Sequence, residues 1–364
     1  MARALSVDFA TIQLTLSLYL AAMALGQLVL GPLSDRLGRR PVLLAGLVTF
    51  VGGSLICFAA QSVELLIVGR VVQALGGCTG ITLSRAIVRD LYDRDRVASM
   101  IGYVTMGMAV APMIAPTIGG VLETQYGWRA SFAFLTAFGT LVLLFAAWFL
   151  PETNLVRDPV ASVRTQLRGY AGLLRSRRFW GYALTTAFVS AVFFAFLAGA
   201  PYVTIEVMGR SPAEYGFYFA FVPSGYLVGN FVTGRFATRW GPNRLIVAGM
   251  LLVSLSIATV ATTFAAGFMH PLALFAPMFL MGAGNGLVLP SGIAGAVSVK
   301  PELAGAAAGL SGSLQIGFGA MIAPIVGATL AATVWPLIAI MAACSALAVI
   351  SFGLMTAWRN PPPV

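Results

Sequence analysis

The sequence predicts an all-α protein that crosses a membrane many times, and three observations carry that expectation. Of its 364 residues 59% are hydrophobic and 9% charged, with a mean hydropathy of +0.90, whereas soluble domains carry about 25% charged residues. The apolar residues fall into runs of about 20, the length a bilayer requires. Two distant stretches of the chain also repeat each other. A water-soluble globular protein is excluded by composition alone.

Taken between charged or Pro/Gly breaks, the runs are 9–31, 41–60, 63–84, 97–119, 128–150, 180–203, 214–234, 244–266, 271–297, 304–330 and 333–357, eleven in all. The first resembles a signal peptide, with Arg3, an apolar stretch and Ala22-Met23-Ala24. It continues unbroken to Leu30 and ends in a basic loop, as a spanning helix entering the cytoplasm does.

The net charge of +10 would raise the question of nucleic acid in a soluble protein. Here the charges sit in loops facing lipid headgroups, so the bilayer is the expected partner and nucleic acid is not. The loops at 32–41, 85–96, 151–178, 235–244 and 298–303, with the C-terminus, hold 18 Arg and Lys, whereas the opposite loops hold only Arg3, Arg129 and Arg210. The positive-inside rule makes the 18-charge side cytoplasmic, which puts the C-terminus inside and Met1 outside. Cys57, Cys78 and Cys344 lie within apolar runs, as small core residues rather than a disulfide or metal framework.

Gly31-Pro-Leu-Ser-Asp35-Arg36-Leu-Gly38 has a degenerate copy in Gly234-Arg-Phe-Ala-Thr238-Arg239-Trp-Gly241, offset by 203 residues. Met113-Ile-Ala-Pro116-Thr-Ile-Gly119 recurs as Met321-Ile-Ala-Pro324-Ile-Val-Gly327, offset by 208. Two halves of like topology follow: residues 1–150 with five spans and 179–364 with six, joined by a basic cytoplasmic linker over 151–178. Parallel halves around a midplane site describe an alternating-access transporter better than a channel or a membrane enzyme.

Several motifs now give the chain a likeness. They are Gln13-Leu-Thr-Leu-Ser running into Gly26-Gln27, GPLSDRLGRRP from Gly31 to Pro41, Arg70-Val-Val-Gln73, Arg85-Ala-Ile-Val-Arg89-Asp90-Leu-Tyr92, and the LPET ending at Thr153. With these the sequence resembles the major facilitator superfamily, and within it the bicyclomycin/chloramphenicol-resistance (Bcr/CflA) group of drug:proton antiporters. The resemblance covers essentially the whole chain. It implies a major facilitator fold of two pseudo-symmetric helical halves, with no cofactor and a proton gradient as energy source. It also implies a drug-like substrate, a monomer and a place in the bacterial inner membrane.

In the loop from Gly31 to Arg40, Gly31 and Gly38 permit tight turns. Asp35 can accept charged hydrogen bonds and sit at the positive N-terminus of a neighbouring helix. The resemblance implies a latch closing the cytoplasmic side, formed with Arg36, Arg39 and Arg40; these three also serve as topogenic charges. Arg70 is the only charge well inside a span, where ionisable residues are costly and by default functional. Gln73 shares its face, and the match to the superfamily's fourth-helix arginine implies a part in proton coupling. An arginine snorkelling outward is the bland alternative.

Ala111-Pro112-x-x-Ala115-Pro116-x-x-Gly119-Gly120 resembles the antiporter signature, with alanines at 111 and 115 for the usual glycines. Its small-xxx-small spacing allows close packing, and its prolines kink the helix. In the second half Phe193, Phe194, Phe196, Tyr226, Asn230, Asn285 and Gln315 are candidates for a substrate wall, since aromatic faces with a few amides suit bulky, weakly polar ligands.

The single histidine, His270, is predicted in an outer loop, and neither zinc spacing nor a nucleotide-binding loop is present. Energy from an ion gradient is the remaining expectation, yet every Asp and Glu falls in a loop or at a span end. Moving span 180–203 back by the repeat offset places its counterpart immediately before Met1. The expectation is therefore that the chain starts one helix late and that the absent first helix carries the embedded acid. The leading function is export of drug-like molecules in exchange for protons. Transport of a specific metabolite, a truncated non-coupling form and a membrane sensor are the rivals; an enzyme lacks paired catalytic groups at membrane depth.

Overall fold

The computed structural model describes residues 1, 3–91, 115–154, 172–300, 304–330 and 333–357. Among these no strand occurs. The helices are α1 (Phe9–Leu37), α2 (Arg39–Ala59) and α3 (Val63–Leu91), then α4 (115–126) and α5 (Arg129–Phe149). There follow α6 (Arg177–Tyr202), α7 (Pro212–Phe219), α8 (Phe221–Trp240), α9 (Pro242–Ala265), α10 (Pro271–Ser298), α11 (Ala304–Thr329) and α12 (Trp335–Ala357). A π-helical turn, Val203–Val207, extends α6 just past Pro201, which cannot supply a ladder N–H.

Nine spans among the described residues are long and apolar enough to cross a bilayer. The two further runs of the sequence reading have separate reasons for standing outside that number. Most of 97–119 lies outside the described residues. The run 214–234 is broken at Ala220 into α7 and α8, and α8, although 20 residues long, is less apolar than the nine, with Asn230, Arg235 and Arg239 along it.

Helix ends are fixed by short polar side chains. Asp8 Oδ1 accepts from the Thr11 N–H at 3.0 Å, Ser176 Oγ from Phe179 at 3.3 Å, and His270 Nδ1 from Leu272 at 3.1 Å. Ser211 and Glu214 form a reciprocal capping box on α7. His270, expected in an outer loop, thus caps α10.

One turn differs from expectation. Gly31 does not make a bend, because α1 runs through it to Leu37. The connection to α2 is Gly38 alone, at φ 103°, a conformation open chiefly to glycine.

In the first half α2 packs on α3 and α5, and α3 packs on α1. From α6 onward the strongest contacts are α10 with α8 and α9, and α6 with α11 and α12. A core of buried side chains, including Phe196, Phe219, Phe275, Met278 and Met281, fills that second group. α1 bridges to α11 and α6: Gln13 Nε2 donates to the Ala198 carbonyl at 2.9 Å and Ser313 Oγ to the Ala24 carbonyl at 3.3 Å. The opposite extreme is α5, whose Leu141, Leu144, Phe145, Trp148 and Phe149 all point outward, a surface suited to hydrocarbon rather than water.

Candidate functional site

Arg70 stands on α3, facing α1 and α2. Its Nη1 donates to Gln73 Oε1 at 2.6 Å, and Gln73 Nε2 donates to Ser54 Oγ on α2 at 2.8 Å. The guanidinium carbon lies 4.0 Å from the centre of the Tyr19 ring on α1, a cation–π geometry. The arginine is therefore held inward by three helices and does not snorkel. No carboxylate reaches it among the described residues; the eight described Asp and Glu all lie at helix ends or beyond. Gln73 was readable from its spacing. Tyr19 and Ser54 were not, because nothing in the sequence aligns α1 and α2 with Arg70.

A second charged cluster closes the end of α1, α2, α3 and α5. Asp35 pairs with Arg39, whose Nε donates to Asp90 Oδ2 on α3 at 2.9 Å and whose Nη1 donates to Ser34 Oγ at 2.6 Å. The sequence reading seats Asp35 at a helix N-terminus, but the acid found there is Glu152. Its two oxygens accept from the backbone N–H of Arg39 at 2.9 Å and of Arg40 at 3.3 Å, the first turn of α2. Asp35 meets Arg39 from the last turn of α1 instead. Burial pushes the Glu152 carboxyl up, but the backbone N–H groups of Asn154, Arg39, Arg40 and Thr153 outweigh it and hold the group below the ordinary 4.5. Arg40 Nη2 donates to the Ala147 carbonyl at 2.7 Å, while Arg36 is exposed. The LPET motif carried the signal for Glu152.

Of the antiporter-like helix, Ala111 and Pro112 lie outside the described residues, and Ala115, Pro116, Gly119 and Gly120 belong to α4. α4 meets α7: Thr117 Oγ1 donates to the Gly216 carbonyl at 3.0 Å. A Cβ on Gly216 would stand 2.6 Å from the Pro116 carbonyl oxygen, and one on Gly120 would strike that of Pro212. The small residues thus allow two backbones from opposite halves to touch. Gly119 faces open space.

A cavity of about 240 Å³ opens among α6, α7, α8, α10 and α11. Phe193, Phe194, Tyr226, Asn285 and Gln315 line it. Phe196 does not: it is fully buried, edge-on to Phe275 at 5.4 Å and stacked with Phe219 at 6.4 Å. Asn230 is absent from the lining too, its Nδ2 spent on the Tyr226 carbonyl at 2.8 Å. Phe196 is one residue out of phase with the face that carries Ser190, Phe193 and Phe194, which puts it in the core, whereas Asn230 shares the face of Tyr226 but stands a turn beyond the cavity. Ser190, one turn before Phe193 and Phe194, joins the lining together with Pro223 and Gly282.

The profile of the Major Facilitator Superfamily matches residues 1–315 and again 207–364. The chain belongs to the major facilitator superfamily. It is 34% identical over 307 residues to the chloramphenicol resistance protein of Pseudomonas aeruginosa, covering 83% of this chain and 70% of that one. It is 32% identical over 329 residues to multidrug resistance protein D of Escherichia coli (strain K12), covering 88% and 80%. The crystal structure of the peptide transporter POT, a point mutant in complex with alafosfalin, superposes with a TM-score of 0.78 at 16% identity. That match covers 97% of this chain and 87% of the other and shows the fold. This superfamily comprises multi-pass membrane transporters, not enzymes, that use ion gradients without cofactors. Among the described residues no group of three or more His, Cys, Asp or Glu could hold a metal.

Proposed function

We propose that this chain exports drug-like small molecules across the bacterial inner membrane in exchange for protons, working as a monomer with its C-terminus in the cytoplasm. The single observation that carries the reading is the cavity: concave, aromatic, with a few amides, and set within the membrane-spanning helices. The relatives named for chloramphenicol and multidrug resistance support drugs as the cargo.

In this reading residues 1–150 and 179–364 are the two halves, linked through 151–178. They rock against each other in alternating access, the second half carrying the cavity. The Asp35–Arg39–Asp90 cluster, with Glu152 on the first turn of α2, latches the cytoplasmic end. The contact of α4 with α7 seals the other end. A guanidinium is never deprotonated in a protein, so Arg70 is a fixed charge rather than the proton carrier. Parting it from Gln73 and Tyr19 strands a cation in low dielectric, so that movement requires a compensating group. That is how Arg70 and Gln73 take part in coupling.

The test is drug-dependent discharge of a proton gradient in everted membrane vesicles. Drug-linked proton release is the expected result. A chain that is abundant in the membrane but moves no proton with any drug refutes the reading, and discharge by one metabolite alone would replace it with a specific carrier.

A further inference from the structure

Among the described residues, two polar atoms in the cavity wall lack partners. Asn285 on α10 is 4% exposed; its Nδ2 rests on Met281 Sδ at 3.2 Å, and its Oδ1 accepts from nothing. Gln315 on α11 accepts from Ser190 Oγ at 3.4 Å, and its Nε2 donates to nothing. Both line the same cavity as Phe193, Phe194 and Tyr226. Buried amides in folded proteins are nearly always satisfied. One free acceptor and one free donor in an otherwise apolar wall therefore mark where ligand groups belong.

Among the described residues the same lining contains no carboxylate, ammonium or guanidinium. A permanently charged ligand entering it would leave water without gaining a counter-charge, which is heavily disfavoured. The volume, about 240 Å³, lies just below the usual range of about 300–1,000 Å³ for small-molecule sites, so the ligand is compact.

We propose that this cavity selects compact, uncharged aromatic molecules carrying both a hydrogen-bond donor and an acceptor, and rejects lipophilic cations. Asn285 Oδ1 accepts from the ligand's N–H or O–H, and Gln315 Nε2 donates to its carbonyl or hydroxyl oxygen. The phenylalanine rings and Tyr226 receive the aromatic ring by edge or face contact. The assignment rests on the exporter reading and narrows its substrate class.

The experiment is equilibrium binding to the full chain in nanodiscs. One probe is chloramphenicol, neutral with a single aromatic ring, an amide and hydroxyls; the other is tetraphenylphosphonium, a permanent cation. The wild type is expected to bind chloramphenicol at least about tenfold more tightly than the cation. Asn285→Ala and Gln315→Ala should each weaken chloramphenicol by about tenfold, one hydrogen bond's worth at a buried site. Asn285→Asp, which supplies the missing counter-charge, should raise affinity for the cation by about tenfold or more. Gln315→Glu repeats that gain if Asn285→Asp does not fold. Equal binding of both probes by the wild type, no binding of chloramphenicol, or chloramphenicol affinity unmoved by either alanine overturns the proposal. Vesicle efflux separates the two levels. If the cation discharges the proton gradient and chloramphenicol does not, the exporter stands and this selectivity falls. If neither drug does so although chloramphenicol binds as expected, the exporter reading is what fails.

Discussion

Arg70 illustrates how far a single residue can be read before its neighbours are known. Its cost inside a span and its spacing to Gln73 are properties of one helix, and the 2.6 Å bond between them follows. Tyr19, whose ring sits 4.0 Å from the guanidinium carbon, is on another helix and had no sequence signal. Both contacts use a planar cation, which an ammonium does not reproduce. Arg70→Lys is therefore expected to lose nearly as much efflux as Arg70→Ala, measured as drug-dependent proton release at equal membrane abundance. Retention of more than roughly half the rate by the lysine variant would reduce Arg70 to a bare positive charge.

For the elements, the seam between α2 and α3 and the anchoring of α2 decide what the first half can do. A Cβ on Gly53 would stand 2.6 Å from the Gln73 Cα, so the two helices touch backbone to backbone there. Gly53→Ala should lower stability by about 1–3 kcal/mol, the usual cost of overpacking, read as an earlier thermal transition in detergent. At the start of α2, Glu152 has a folded pKa held below its ordinary 4.5. The stability it contributes is fully present above that ordinary value and is lost as pH falls through the depressed one. Protection of the Arg39 and Arg40 amides from hydrogen exchange, after correction for intrinsic rates, should be flat from about pH 8 to about pH 5 and fall only below pH 4.5. Protection that declines near neutrality would show that Glu152 does not hold the helix. Asp35→Asn should impair transport far more than Thr238→Asn in the repeated segment, because Asp35 pairs with the buried Arg39 and the repeat has no acid at the equivalent position. Equal losses would remove the latch.

Across the whole molecule, the contact of α4 with α7 joins the two halves at the end opposite the charged cluster, with the Gly216 carbonyl accepting from Thr117. Gly216→Val should pry that contact apart, abolish transport without loss of membrane abundance, and expose a cysteine placed at position 117 to an impermeant thiol reagent from outside. An unchanged reactivity would mean the seal lies elsewhere. What the sequence determined by itself was whatever one helix decides alone: that nine of the eleven apolar runs form helices long enough to span, where charges end them, and that Arg70 stands inside a span one turn from Gln73. Those properties follow from hydrophobicity, period and the cost of charge in hydrocarbon, all local along the chain. Tertiary structure decided how helices are turned toward one another. It placed Glu152 rather than Asp35 on the N-terminus of α2, put Phe196 in the core while Phe193 lines the cavity, and broke the run at 214–234 into α7 and α8. The physical reason is that helices hydrophobic on every side carry little phase information. Which face meets lipid, core or ligand is settled only by small residues and hydrogen bonds between partners far apart in sequence.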